Sequence, residues 1–75
     1  MKKIDSCIIE YIELSTTGVL INLHRKVCDD MDDGITLANE LRDIKHDNGE
    51  RKCVSINLWG ICNNTREMVF IKWWE

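Results

Sequence analysis

Ser6-Cys7-Ile8-Ile9-Glu10-Tyr11-Ile12-Glu13-Leu14, then Ser15-Thr16-Thr17-Gly18, then Val19-Leu20-Ile21-Asn22-Leu23-His24-Arg25-Lys26-Val27-Cys28, is the stretch that decides the fold. Both arms are rich in β-branched and aromatic residues, the types that suit a pleated and half-buried strand. The Ser-Thr-Thr-Gly cluster between them is a turn signal. A turn centred on Thr17-Gly18 sets Leu14 against Ile21, Ile12 against Leu23, Glu10 against Arg25, and Ile8 against Val27. Apolar then meets apolar and acid meets base on one face, the pairing that cross-strand energetics favours. Slipping by one residue would set Ile12 against Asn22 and Ile8 against Lys26, so the first register is preferred. It also places Cys7 opposite Cys28 and Tyr11 opposite His24.

Downstream, the acidic run Asp29-Asp30-Met31-Asp32-Asp33-Gly34 breaks the strand pattern. From Ile35 to His46 the apolar residues Leu37, Leu41 and Ile44, with Ala38 beside them, recur at helical spacing. Asp32 or Asp33 is the expected cap, and the acidic cluster suits the positive end of the helix dipole. Lys45 and His46 are expected in the last turn, with Asn48-Gly49 as a left-handed stop. Residues 52–62 alternate again, with Val54, Ile56 and Leu58 on one face, and Asn63-Asn64 suits a tight turn. A two-residue turn there sets Leu58 against Val69, Ile56 against Ile71 and Val54 against Trp73. The other face of that hairpin then pairs Trp59 with Met68, Asn57 with Phe70 and Cys53 with Trp74.

The expected fold is therefore α+β, ordered β-β-α-β-β: a four-stranded antiparallel sheet with one helix packed on one face. It forms one domain over residues 1–75, with a hairpin at 6–28, a helix at 33–47 and a hairpin at 52–75. In this reading the helix covers Ile12, Leu14, Ile21, Leu23, Val54, Ile56, Leu58, Val69, Ile71 and Trp73. Trp73 and Trp74 are adjacent on a strand and point to opposite faces, so both cannot enter one core. The uncovered face is expected to carry Ile9, Tyr11, Leu20, Trp59, Met68, Phe70 and Trp74. Aromatic residues and methionine are enriched at interface cores. Tyr11, Trp59, Met68, Phe70 and Trp74 thus form the candidate partner-binding set, for another protein or for a second copy in a homodimer.

Bulk properties narrow the function classes. A chain of 75 residues holds one modest core and buries about 60% of its unfolded surface, so its stability is marginal. Ten basic residues are scattered among thirteen acidic ones for a net charge of −3. That balance disfavours nucleic-acid binding, which normally needs a basic stripe. Glu10 and Glu13 interrupt the apolar run nearest the N-terminus, so neither a signal peptide nor a membrane span is expected, and the default compartment is the cytosol.

Chemistry-bearing residues are present without a recognised arrangement. Cys7, Cys28, Cys53 and Cys62 include no C-x-x-C pair, so no metal site or cofactor is expected. Cys7 and Cys28, being opposite, form either a disulfide in an oxidising compartment or two reduced core thiols in a cytosolic one. His24 and His46 read as surface and helix-end residues, and no phosphate loop, H-E-x-x-H or nucleophile elbow occurs, so no catalytic residue is assigned. Asp29, Asp30, Asp32 and Asp33 make a secondary acidic contact surface, extendable by Glu10, Glu13, Glu40, Asp43 and Asp47. The function read from these features is a small non-enzymatic protein-binding module, an inhibitor or adaptor of phage or mobile-element type. The alternatives are an acidic DNA-mimic inhibitor of a nucleic-acid enzyme and a cysteine-based metal or redox module.

Overall fold

The computed structural model describes residues 4–62 and 64–74. Its elements follow the expected order: β1 (Ser6–Leu14), β2 (Leu20–Cys28), α1 (Met31–Asp43), β3 (Cys53–Cys62) and β4 (Glu67–Trp74). They form a four-stranded antiparallel sheet in the order β2-β1-β3-β4, with α1 packed on one face. Asn63, half of the expected Asn63-Asn64 turn, lies outside the described residues, as do Met1–Lys3 and Glu75.

The first hairpin has the expected register over most of its length. Ile12 pairs with Leu23, Tyr11 with His24, Glu10 with Arg25, Ile8 with Val27, and Cys7 with Cys28. A bulge at Glu13/Leu14 then sets Leu14 against Leu20 rather than Ile21. The Ser15 side chain accepts the Thr17 and Val19 amides, and Gly18 takes φ 84°, the left-handed conformation that glycine adopts without strain. The Glu10–Arg25 pair is closed by two hydrogen bonds, at 2.6 and 3.0 Å.

The helix begins earlier than expected. Asp30, not Asp32 or Asp33, is the N-cap: its Oδ1 accepts the Asp33 amide at 2.9 Å, leaving Asp32 and Asp33 in the first turn. The helix ends at Asp43, and Ile44 turns extended while its N–H still donates to the Glu40 carbonyl. Lys45 and His46 therefore lie beyond the helix, Lys45 bridging to Arg51. Gly49, at φ 86°, closes a turn onto His46 instead of stopping the helix. His46 donates to the Leu14 carbonyl and Asn48 to the Thr16 carbonyl, tying this loop to the first hairpin.

The second hairpin corrects the expected face assignment. Trp59 pairs with Phe70, Gly60 with Val69, Ile61 with Met68 and Cys62 with Glu67, so four residues, not two, separate the paired strand ends. That shift of two residues preserves which side chains share a face. A bulge between Leu58 and Trp59 then leaves Ile71 unpaired and shifts the register by one, setting Leu58 against Lys72, Asn57 against Trp73 and Ile56 against Trp74. One residue of slip exchanges the faces, so Trp74 goes under the helix and Trp73 goes out. A second bulge, where β3 pairs β1, centres on Ser55 at φ 52° and breaks the alternation of Val54, Ile56 and Leu58. Val54 pairs with Ile12 on the uncovered face, while Ile56 and Leu58 are buried.

The core under α1 consists of Cys7, Ile9 and Tyr11 from β1, Cys53, Ile56 and Leu58 from β3, Trp74 from β4, and Ala38 and Leu41 from the helix. Ile12 and Leu23, expected beneath the helix, lie on the opposite face. Ile9, Tyr11 and Trp74, expected outside, are inside. Helical periodicity did mark Ala38 and Leu41 as buried and Leu37 as packed against them, whereas Ile44 is exposed.

Candidate protein-binding face

Side chains of directly paired residues in an antiparallel sheet stand on the same side. The pairings therefore define rows across the uncovered face. One row runs Val27–Ile8–Trp59–Phe70 through all four strands. The next runs Arg25–Glu10–Asn57–Trp73, and a third Leu23–Ile12–Val54. Ile61 and Met68 extend the surface beyond the first row. The result is two apolar rows flanking a polar one.

Of the candidate binding residues, the structure brings Trp59, Met68 and Phe70 together here. Phe70 meets Trp59 edge-on with ring centroids 5.3 Å apart, a favourable aromatic geometry. Met68 and Phe70 are exposed and Trp59 is half-buried. The indole Nε1 of Trp59 is closed off from solvent and has no acceptor among the described residues. Tyr11 and Trp74 belong instead to the core. Tyr11 stacks on the His24 ring at 4.8 Å, and the Trp74 Nε1 donates to Asn39 Oδ1 on the helix at 3.0 Å. Lys72 Nζ lies over the Trp74 ring at 5.1 Å, capping it from outside.

The strongly exposed apolar residues Trp73, 55% exposed, and Val27 and Leu23, each 69% exposed, also belong to this face and were not assigned from sequence. The adjacency of Trp73 and Trp74 signalled that one of them must be outside. Which one depended on a bulge that alternation does not reveal.

The acidic segment sits on the helix layer. Asp29, Asp32 and Asp33 are exposed, and Asp30 is engaged as the helix cap while its carbonyl accepts the Cys7 thiol at 3.2 Å. All four cysteines are free thiols. Burial, reinforced by the neighbouring Cys28, pushes the Cys7 thiol from its ordinary 9.0 up to about 11. Burial and the Glu13 carboxylate also raise Cys53. Both groups are thus held as thiols, which are poor nucleophiles. Among the described residues, no group of three or more His, Cys, Asp and Glu side chains gathers as a metal site requires.

A shallow cleft of about 280 Å³ opens on the helix side, lined by Tyr11, Glu13, His24, Lys26, Lys52 and Cys53 with Leu41 and Ile44. There Glu13 and His24 are hydrogen-bonded at 2.7 Å, and that bond lowers the Glu13 pKa. Glu13 pairs with Cys53 across the strands, so the cleft holds acid, imidazole and thiol. The raised pKa of Cys53 opposes a thiolate role. Among the described residues no helix is long and apolar enough to cross a membrane. The chain matches no protein-family model, no curated protein and no solved structure.

Proposed function

We propose that this chain is a non-enzymatic protein-binding module of inhibitor or adaptor type, and that the uncovered sheet face is its contact surface. The observation that carries the reading is the four-strand row Val27–Ile8–Trp59–Phe70, apolar throughout and open on the side away from α1. Contiguous apolar surface of this kind marks interaction sites on small soluble domains. Trp73 takes the anchor role first given to Trp74, beside Phe70, Met68 and Trp59. The acidic segment on the helix layer is a secondary surface, suited to steering a basic partner. Four free thiols suit a reducing compartment, and the cytosol of the producing or host cell is the proposed location.

The test compares tagged wild-type chain with Phe70→Asp and with Asp29→Asn/Asp32→Asn, each checked for native circular dichroism. Proteins co-purifying with the wild type, its own untagged copy included, are scored for each variant. Loss with Phe70→Asp and retention with the acidic-segment variant is the expected result. The opposite pattern moves the contact to the helix layer and overturns the reading.

A further inference from the structure

The structure points to the occupant of this face, an inference resting on its reading as a protein contact surface. We propose that a second copy of the chain covers it, the two sheets stacking with β2 of one copy over β4 of the other.

Charge is the first argument. Among the residues paired on this face, the charged ones are Glu10 and Arg25, and they neutralise each other through two hydrogen bonds. The chain as a whole carries −3, so its excess negative charge lies off this face. Two like-charged copies therefore meet here with least repulsion and keep their acidic helix layers on opposite outer sides.

Self-complementarity is the second. A two-fold axis parallel to the strands reverses strand order and leaves each row facing itself. Arg25 then lies over Trp73 and Glu10 over Asn57, a cation against an aromatic ring and a carboxylate against an amide donor. In the apolar row Val27 meets Phe70 and Ile8 meets Trp59. A two-fold axis perpendicular to the strands would instead stack Arg25 on Arg25 and Glu10 on Glu10, so the arrangement along the strands is selected.

Area and core size agree. Strands of eight to ten residues at ~3.3 Å per residue, four abreast at ~4.8 Å, present a face of roughly 30 by 19 Å. A stacked pair then covers about 1,100 Å² before side-chain relief is counted, above the roughly 1,000 Å² that a specific interface needs. Of the ten apolar residues buried among the described residues, four are cysteine or alanine. So thin a core leaves a small domain dependent on further burial. A second copy is the partner present wherever the chain is made. Stacking converts two half-covered sheets into the interior of a helix–sheet–sheet–helix sandwich.

The test is sedimentation equilibrium of the reduced chain over a wide concentration range, combined with oxidative footprinting of the same samples. The expected result is a species of twice 8.8 kDa. As it forms, Met68, Phe70 and Trp73 gain protection while Met31 on the helix does not. Val27→Asp places an unpaired charge in the stack and should weaken the dimer about 100-fold or more. Arg25→Ala and Trp73→Ala should each weaken it without additivity in the double variant, because they remove the same contact. A monomer at every concentration, with the face labelled freely, overturns the second copy but leaves the face open to a different protein. A dimer that leaves Met68, Phe70 and Trp73 fully labelled, such as one joined through the β2 edge, overturns the stacked pair and likewise leaves the face open to a different protein. Footprinting of the wild type decides even if a variant fails to fold.

Discussion

Gly34 in the first turns of α1 rests directly on Cys7 of β1: a Cβ at Gly34 would stand 2.7 Å from the Cys7 sulfur and 3.0 Å from Leu58 Cδ1. The helix approaches the sheet this closely because one residue has no side chain and the one beneath it is small. Alanine is the better helix former by about 1 kcal/mol. Gly34→Ala should nevertheless destabilise the fold by about 1–3 kcal/mol in urea unfolding, because the added methyl has no room. Cys7→Ala removes the nearer obstacle, so the double variant should be more stable than the sum of the two changes predicts. A stabilising Gly34→Ala would show that the helix is free to lift.

The two adjacent tryptophans should separate in mutagenesis. Trp74 is buried and hydrogen-bonded to Asn39, so Trp74→Ala should cost about 3–5 kcal/mol and Asn39→Ala about 1 kcal/mol. Trp73→Ala should leave the unfolding free energy of the monomeric chain, measured at high dilution, nearly unchanged. Equal losses at both positions would contradict the register set by the Leu58/Trp59 bulge.

Ser55 adopts φ 52°, a region that costs a residue with a Cβ about 1 kcal/mol. Ser55→Gly relieves that strain but also loosens the unfolded chain, which offsets part of the gain. The expected net is a stabilisation of a few tenths of a kcal/mol, up to about 1 kcal/mol, measured by thermal or urea unfolding. Ser55→Val should destabilise, since a β-branched residue tolerates positive φ least.

Thiol chemistry reports on the core. With Cys7 raised from 9.0 to about 11, the folded state disfavours its thiolate. The stability associated with keeping that proton is fully present below pH 9 and is lost as pH rises through about 11. The unfolding free energy should therefore fall over that window, and fall less in Cys7→Ala. At neutral pH, alkylation followed by mass spectrometry should modify half-buried Cys28 before Cys7 and Cys53, which react only on unfolding.

The chain order of strands and helix, the first-hairpin register from Cys7–Cys28 to Ile12–Leu23, and the Ala38–Leu41 stripe were all legible in the residues themselves. Each is a local matter. Side-chain alternation, turn chemistry and helical spacing act between residues close in sequence or joined by one short turn. The amphipathic hairpin left open which of its faces meets the helix, since Ile8, Ile12, Leu23 and Val27 on one side are as apolar as Cys7, Ile9 and Tyr11 on the other. Trp59, Met68 and Phe70 share a face, as expected, because an error of two residues in register leaves faces unchanged. The fates of Trp73 and Trp74 were exchanged because the bulge displaced them by one.

The sequence by itself thus determined the element order, the strand pairing within the first hairpin and the existence of a surplus of apolar surface. Only the tertiary structure decided which face the helix covers. That choice turns on how closely the helix can approach, and Gly34 over the small Cys7 lets it seat on the β1 face bearing Cys7, Ile9 and Tyr11. The bulges at Ser55 and at Leu58/Trp59 then bring Cys53, Ile56, Leu58 and Trp74 to the same side. These are non-local fits of volume and register, and no alternation pattern within a single strand encodes them.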